Sequence, residues 1–181
     1  CGCGNTSGGP ATLEDAPASH SAGSGGGNTS TGGGNTAGNA GTAGTPGNYD
    51  IGTPTLTDIW VNPTGGSDAN TGASSSQALH SLTAAWNQIP MGTTLSSTGY
   101  RIRLLPGTLS QSLIPNYWES RYGTYAFPVI LQAETAGSVM LASVNVFDCR
   151  YLYFIGIGIT AGGGDVLHFD SCRYVLLRQV T

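Results

Sequence analysis

The chain contains no lysine, and its six basic residues are all arginine. Charged residues make up only 9% of 181 positions, against roughly 25% in ordinary soluble domains. Ten acidic residues bring the formal net charge to -4, so the basic stripe that a nucleic-acid binder needs is missing. Long apolar runs are missing too. Nothing approaches about 18 consecutive apolar residues, so no segment is expected to cross a bilayer as a helix. Membrane contact is expected only through a covalent lipid anchor. Metal-ligand spacing is equally scarce: Cys3 has no nearby histidine or second cysteine pair to complete a zinc site. His20, His80 and His168 lack a partner at a telling spacing and read as structural or solvated.

Glycine, by contrast, is abundant and unevenly spread. Residues 1–48 hold 15 of the 29 glycines and 12 serines or threonines, with Leu13 as their only large apolar residue. Such a segment buries too little apolar surface to offset chain entropy. It reads as a disordered tether reaching about 35 to 40 Å. Glycine does not recur every third residue, which excludes collagen. The sequons Asn5-Thr6-Ser7 and Asn28-Thr29-Ser30 follow from composition. A chain that opens Cys1-Gly2-Cys3-Gly4 before a low-complexity spacer resembles a mature bacterial lipoprotein. That resemblance implies acylation at Cys1 and a place at the bacterial outer membrane or cell surface. The alternatives are a secreted protein, or a Cys1 that only marks where a fragment starts.

Globular composition begins at Tyr49. Residues 49–100 carry a strand at Ile59-Trp60-Val61, a turn-rich stretch from Asn62 to Gly72, and one amphipathic helix. Leu79, Leu82, Ala85, Trp86 and Ile89 fall on one face of that helix, with Ser81 as cap and Pro90-Met91-Gly92 as stop. Residues 101–181 read as strands: Arg101–Leu105, Val129–Leu131, Val139–Leu141, Leu152–Thr160 and Tyr174–Val180.

A repeat organises these strands. Phe147-Asp148-Cys149-Arg150-Tyr151 returns as Phe169-Asp170-Ser171-Cys172-Arg173-Tyr174, with Cys, Arg and Tyr recurring after 23 residues. Periods of roughly 20 to 50 residues indicate a stacked solenoid, and strand-type patterning makes it a parallel β-helix. The alignment puts Leu152 over Val175, Phe154 over Leu177 and Ile157 over Val180 as interior ladders. Arg150 and Arg173 fall on an outer face or bend. Ser171 introduces a one-residue offset that a turn must absorb.

Residues 58–181 resemble the amino-terminal part of a right-handed parallel β-helix of the pectate-lyase-like superfamily. The resemblance rests on Asp58 to Gly72, the helix Leu79 to Trp86, and a first coil from Tyr100 to Thr108. It implies an all-β, right-handed solenoid of about three to four coils at 22 to 23 residues each, with a short capping helix plugging one end. It also implies a chain that naturally continues past Thr181 to further coils and a lower cap. In function it points to an extracellular or surface-anchored polysaccharide-active protein, a lyase or a glycoside hydrolase. The alternative is a non-catalytic adhesin, glycan-binding or display module.

The candidate residues each carry two readings. Asp148 and Asp170, if stacked about 5 Å apart, suit a calcium site or a retaining glycosidase pair; otherwise they receive turn hydrogen bonds. Lyases of the superfamily use an arginine or lysine base, so Arg150 and Arg173 are candidate bases and a lysine base would lie downstream. Cys149 and Cys172 form a buried thiol ladder or, outside the cytoplasm, a disulfide. Tyr117, Trp118, Tyr122, Tyr125 and Phe127 cluster beside Glu119 and Arg121 and suit either sugar rings or packing against the helix. The expected partner is a polysaccharide or cell-surface glycan, with no cofactor beyond a possible calcium ion. Gly156-Ile157-Gly158-Ile159-Thr160-Ala161 imitates a dinucleotide motif, but the glycines after it cannot open a helix. Asp68-Ala69-Asn70-Thr71-Gly72 imitates a calcium loop, with Leu79 where the bidentate glutamate would stand.

Overall fold

Short runs of β-branched and aromatic residues, interrupted by Gly, Pro and Ser, give strands of two to six residues. The computed structural model describes residues 49–160 and 164–181. The tether over 1–48, with Cys1, Cys3, His20 and both sequons, lies outside the described residues, as does Ala161-Gly162-Gly163.

The strands are β1 Leu56–Val61, β2 Gly99–Leu104, β3 Gly107–Leu109, β4 Trp118–Glu119, β5 Val129–Ala133 and β6 Val139–Leu141. They continue as β7 Val144–Phe147, β8 Leu152–Ile155, β9 Ile157–Ile159, β10 Leu167–Asp170 and β11 Leu176–Arg178. Every pairing is parallel, in three sheets ordered β1-β2-β5-β8-β11, β3-β6-β9 and β4-β7-β10. Parallel neighbours cannot be joined by a hairpin, so each needs a long return path. From β2 onward that path runs through the other two sheets, and each strand pairs with the one three elements later. The fold is all-β, with parallel sheets and little helix, an arrangement compatible with a solenoid. One hydrophobic cluster draws on all three sheets, including Leu104, Leu109, Trp118, Leu131, Leu141, Val146, Phe154 and Ile157.

The 23-residue period holds for β5 to β8, β7 to β10 and β8 to β11. Phe154 pairs with Leu177 as expected, and Arg150 bridges Arg173. The expected offset at Ser171 does not exist. Phe147 pairs with Asp170 and Val146 with Phe169, at the same period as the cysteines. The Phe-Asp part of the repeat is therefore a likeness of sequence one position out of register. Gly156, at φ 70, divides the expected strand Leu152–Thr160 into β8 and β9, because a left-handed residue turns the chain there.

The expected helix shortens to α1 Leu82–Trp86, with the Ser81 hydroxyl accepting from the Ala84 amide at 3.0 Å. Leu79 pairs with Val61 instead of joining it. All five face residues are nevertheless buried. The turn-rich stretch is tied by its own polar side chains: Asn62 Oδ1 accepts from the amides of Thr64 and Gly65, and Asp68 Oδ1 from those of His80 and Ser81. Asp68 thus holds the entry to α1.

Candidate functional site

Alternation along short strands decides which residues reach solvent. In β7, Val144 and Val146 are buried while Asn145 and Phe147 are exposed. The same period in β4 buries Trp118 and turns its neighbour Glu119 outward; in β10 it turns out His168 and Asp170. Register then builds two columns on one face. Glu119, Phe147 and Asp170 form the first; Asn145 and His168 stand in the second, with Tyr117 just ahead of β4. These six side chains line a depression of about 360 Å³. It continues past Asn145 and His168 into a second hollow of about 280 Å³ beside Ser143 and Asp165.

Tyr117 is 64% exposed and Phe147 43%, so two aromatic rings flank the floor of the groove. Asp170 accepts from the Ser171 hydroxyl at 3.0 Å, and His168 Nδ1 lies 3.8 Å from Asp165. Three carboxyl groups and one imidazole make the groove polar and acidic. It suits a neutral ligand with hydroxyl edges and apolar faces better than an anionic one.

The corner that follows this sheet has a different character. Ser120, Asp148 and Ser171 all take the left-handed conformation, with φ 54, 46 and 55. Aspartate tolerates that region better than most residues, which accounts for Asp148 at the bend. The Tyr122 hydroxyl donates to Asp148 Oδ2 at 2.6 Å, and that bond is the main cause of a raised Tyr122 pKa. The Arg150 guanidinium lies 4.5 Å from the centre of the Tyr122 ring, and Arg173 follows Arg150 in register. Asp148 and Asp170 stand one position apart in register and occupy different places, bend and groove. Among the described residues no group of three or more His, Cys, Asp or Glu side chains is arranged to hold a metal ion.

The aromatic candidates separate likewise. Tyr117 belongs to the groove, Trp118 is wholly buried against Trp86 and Phe154, and Tyr122 is committed to Asp148 and Arg150. Tyr125 is exposed and donates to the Asp50 carbonyl at 3.4 Å, while Phe127 packs on the core. Asn145, Phe147 and His168 escaped sequence reasoning; the alternation Val144-Asn145-Val146-Phe147 was the signal available for two of them.

Cys149 and Cys172 are unbonded, inward and adjacent, with the Cys149 amide donating to the Cys172 sulfur at 3.5 Å. Burial pushes the Cys149 thiol pKa up to about 12. Comparison with family models, with curated proteins and with solved structures found no match to this chain.

Proposed function

We propose that the protein is an extracytoplasmic, polysaccharide-active parallel β-helix of the pectate-lyase-like kind, and that a glycan chain lies along the β4-β7-β10 groove. In this reading the three sheets are the faces of a right-handed solenoid, α1 is its plug, and a lipid on Cys1 with the tether behind it anchors the whole. The observation that carries the functional reading is the exposure of Tyr117 and Phe147 on one face, beside Glu119, Asn145, His168 and Asp170. Exposed rings stack on the C–H faces of sugars while amide and carboxylate groups take the hydroxyl edges.

A second reading, a non-catalytic glycan-binding or adhesive module, is favoured by one observation. The Asp148 carboxylate and the Arg150 guanidinium are both engaged by Tyr122, while Asp170, whose carbonyl accepts from the Asp148 amide at 2.9 Å, lines the groove.

The test is gel electrophoresis of the full-length protein through neutral and uronic-acid polysaccharides, with product analysis of the same mixtures. Retardation by at least one polysaccharide, relieved by Tyr117→Ala and Phe147→Ala, is the expected result. New reducing or unsaturated ends assign the enzyme reading, and retardation without cleavage assigns the adhesive one. Free migration through every polysaccharide overturns both.

A further inference from the structure

The outward residues of the β4-β7-β10 face form three rungs, one for each strand: Tyr117 with Glu119, Asn145 with Phe147, and His168 with Asp170. Each rung pairs one flat ring with one polar group, and the ring changes column at every step. Glu119, Phe147 and Asp170 are in register in the first column. Asn145 and His168 are in register in the second, which Tyr117 enters one residue ahead of the Trp118–Val146 pair. The rings thus run second, first, second column, and the polar groups run first, second, first. Rungs are about 4.8 Å apart and the two columns roughly 6.6 Å apart, so the pattern spans roughly 10 Å across the strands.

Elsewhere the stacked strands put like over like. Arg173 follows Arg150 in register, the Tyr174 ring is stacked on Tyr151 with centres 4.4 Å apart, and Ile102, Leu131 and Phe154 succeed one another in the core. Recurrence of one coil's sequence is enough to make such ladders. An alternation over three coils breaks the recurrence at both positions of every rung. Packing does not impose it, because these side chains face the open groove and not the core.

We propose that the glycan in this groove is a neutral hexopyranose chain with 1,4-diequatorial links, of the β-1,4-glucan or β-1,4-mannan type, lying across the three strands with one sugar on each rung. The assignment rests on the glycan reading above and deepens it. A diequatorial 1,4 link turns each sugar about half a turn from its neighbour, so the diol edge of the ring points to alternate sides along an extended ribbon. The advance per sugar is close to the ~4.8 Å spacing of stacked strands. Glu119, Asn145 and Asp170 each meet a diol edge as acceptors, and Tyr117, Phe147 and His168 support the C–H face of the other half of each sugar. Chains that curl, such as α-1,4- or β-1,3-glucans, do not repeat this alternation. Glu119 and Asp170, with Asp165 in the adjoining hollow, repel uronate chains.

Calorimetric titration of the full-length chain with cellotriose, mannotriose, maltotriose, laminaritriose and trigalacturonate tests the linkage. One of the first two is expected to bind at least about tenfold tighter than each of the last three. Tyr117→Glu combined with Glu119→Tyr exchanges ring and acid within the first rung, so composition and charge stay and only the order changes. That exchange should raise Kd for the favoured trisaccharide about three- to tenfold. Asn145→Phe combined with Phe147→Asn disorders the second rung in the same way, and an unshifted thermal unfolding midpoint shows that an exchange leaves the fold intact. Maltotriose, laminaritriose or trigalacturonate binding as tightly as the β-1,4 trisaccharides, or an unchanged Kd in both exchanges, overturns the linkage. Failure of all five trisaccharides to bind overturns it as well. In each of these cases the groove reading stands if polysaccharide retardation is still relieved by Tyr117→Ala and Phe147→Ala, and falls with the linkage if every polysaccharide lets the protein migrate freely.

Discussion

From inside the core, Arg121 donates to the carbonyl of Trp86, 35 residues earlier in the chain, at 3.2 Å. Its other arm donates to the Glu119 carbonyl at 2.8 Å, and the guanidinium lies 5.1 Å from the Trp86 ring centre. Trp86 ends α1, and its carbonyl, which already accepts from the Ile89 amide at 3.1 Å, takes the arginine as a second donor that ties the helix end to the β4 corner. Arg121 is 5% exposed, and among the described residues no carboxylate lies within ion-pairing distance of it.

Removing this link should be costly. Arg121→Ala removes the hydrogen bonds to the Trp86 and Glu119 carbonyls and opens a cavity in the core, so a loss of about 2 to 4 kcal/mol is expected. Arg121→Met restores most of the volume and should recover part of the loss. Urea unfolding midpoints of the two variants check this, and an unchanged midpoint in Arg121→Ala would remove the structural role.

Acid should weaken the β1-β2 pairing. Asp58 accepts from Arg101 at 2.8 and 2.9 Å and from Arg103 at 3.3 Å, and the Arg101 hydrogen bonds are the main cause holding its pKa below the ordinary 3.8. A carboxylate with a depressed folded pKa stabilises fully above its unfolded value, and that share is lost as pH falls through the folded one. These side chains are partly exposed, so the share is about 1 kcal/mol or less. Asp58→Asn should lose it near neutral pH and differ little from wild type at about pH 2, as read by urea unfolding at both.

The two core thiols should differ in reactivity from any thiol in the tether. Burial raises the pKa of both Cys149 and Cys172, the former to about 12. Thiolate is the reacting form, so alkylation of Cys149 at mild alkaline pH should wait for unfolding, with Cys172 reacting sooner. Peptide mapping after timed iodoacetamide pulses separates the sites. Rapid native labelling of Cys149 would contradict its place in the core.

Two glycines should respond very differently to alanine. A Cβ on Gly66 would lie 2.2 Å from the Leu79 carbonyl oxygen and 2.6 Å from that of Asn62, a clash with backbone on both sides. Gly66→Ala should therefore cost several kcal/mol, about 3 or more, or prevent folding. Gly92 has open space around it and only its φ of 68 to strain, so Gly92→Ala should cost about 1 kcal/mol. Thermal unfolding of the pair checks the contrast.

Local and periodic features were legible without coordinates. Ser81 is a cap because a hydroxyl at the start of a helix can reach a free amide two or three positions on. The 23-residue recurrence of Cys149, Arg150 and Tyr151 is visible because parallel stacking places the same backbone conformation over itself, as at Tyr151 and Tyr174 with φ 50 and 58. β3, β4, β7 and β10 escaped notice because strands of two to four residues carry too few alternations to stand out.

What sequence by itself determined is therefore the strand-rich composition, the period and the parallel stacking that follows from it. Only the tertiary structure decided which side chains share a face. Tyr117 and Trp118 are neighbours of similar character, yet one is 64% exposed and the other fully buried. Asp148 and Asp170 look equivalent in the repeat, yet a single position of register sends one to a bend and the other to a groove. In a strand each step reverses the side chain, so a one-residue difference invisible in composition becomes the difference between core and surface.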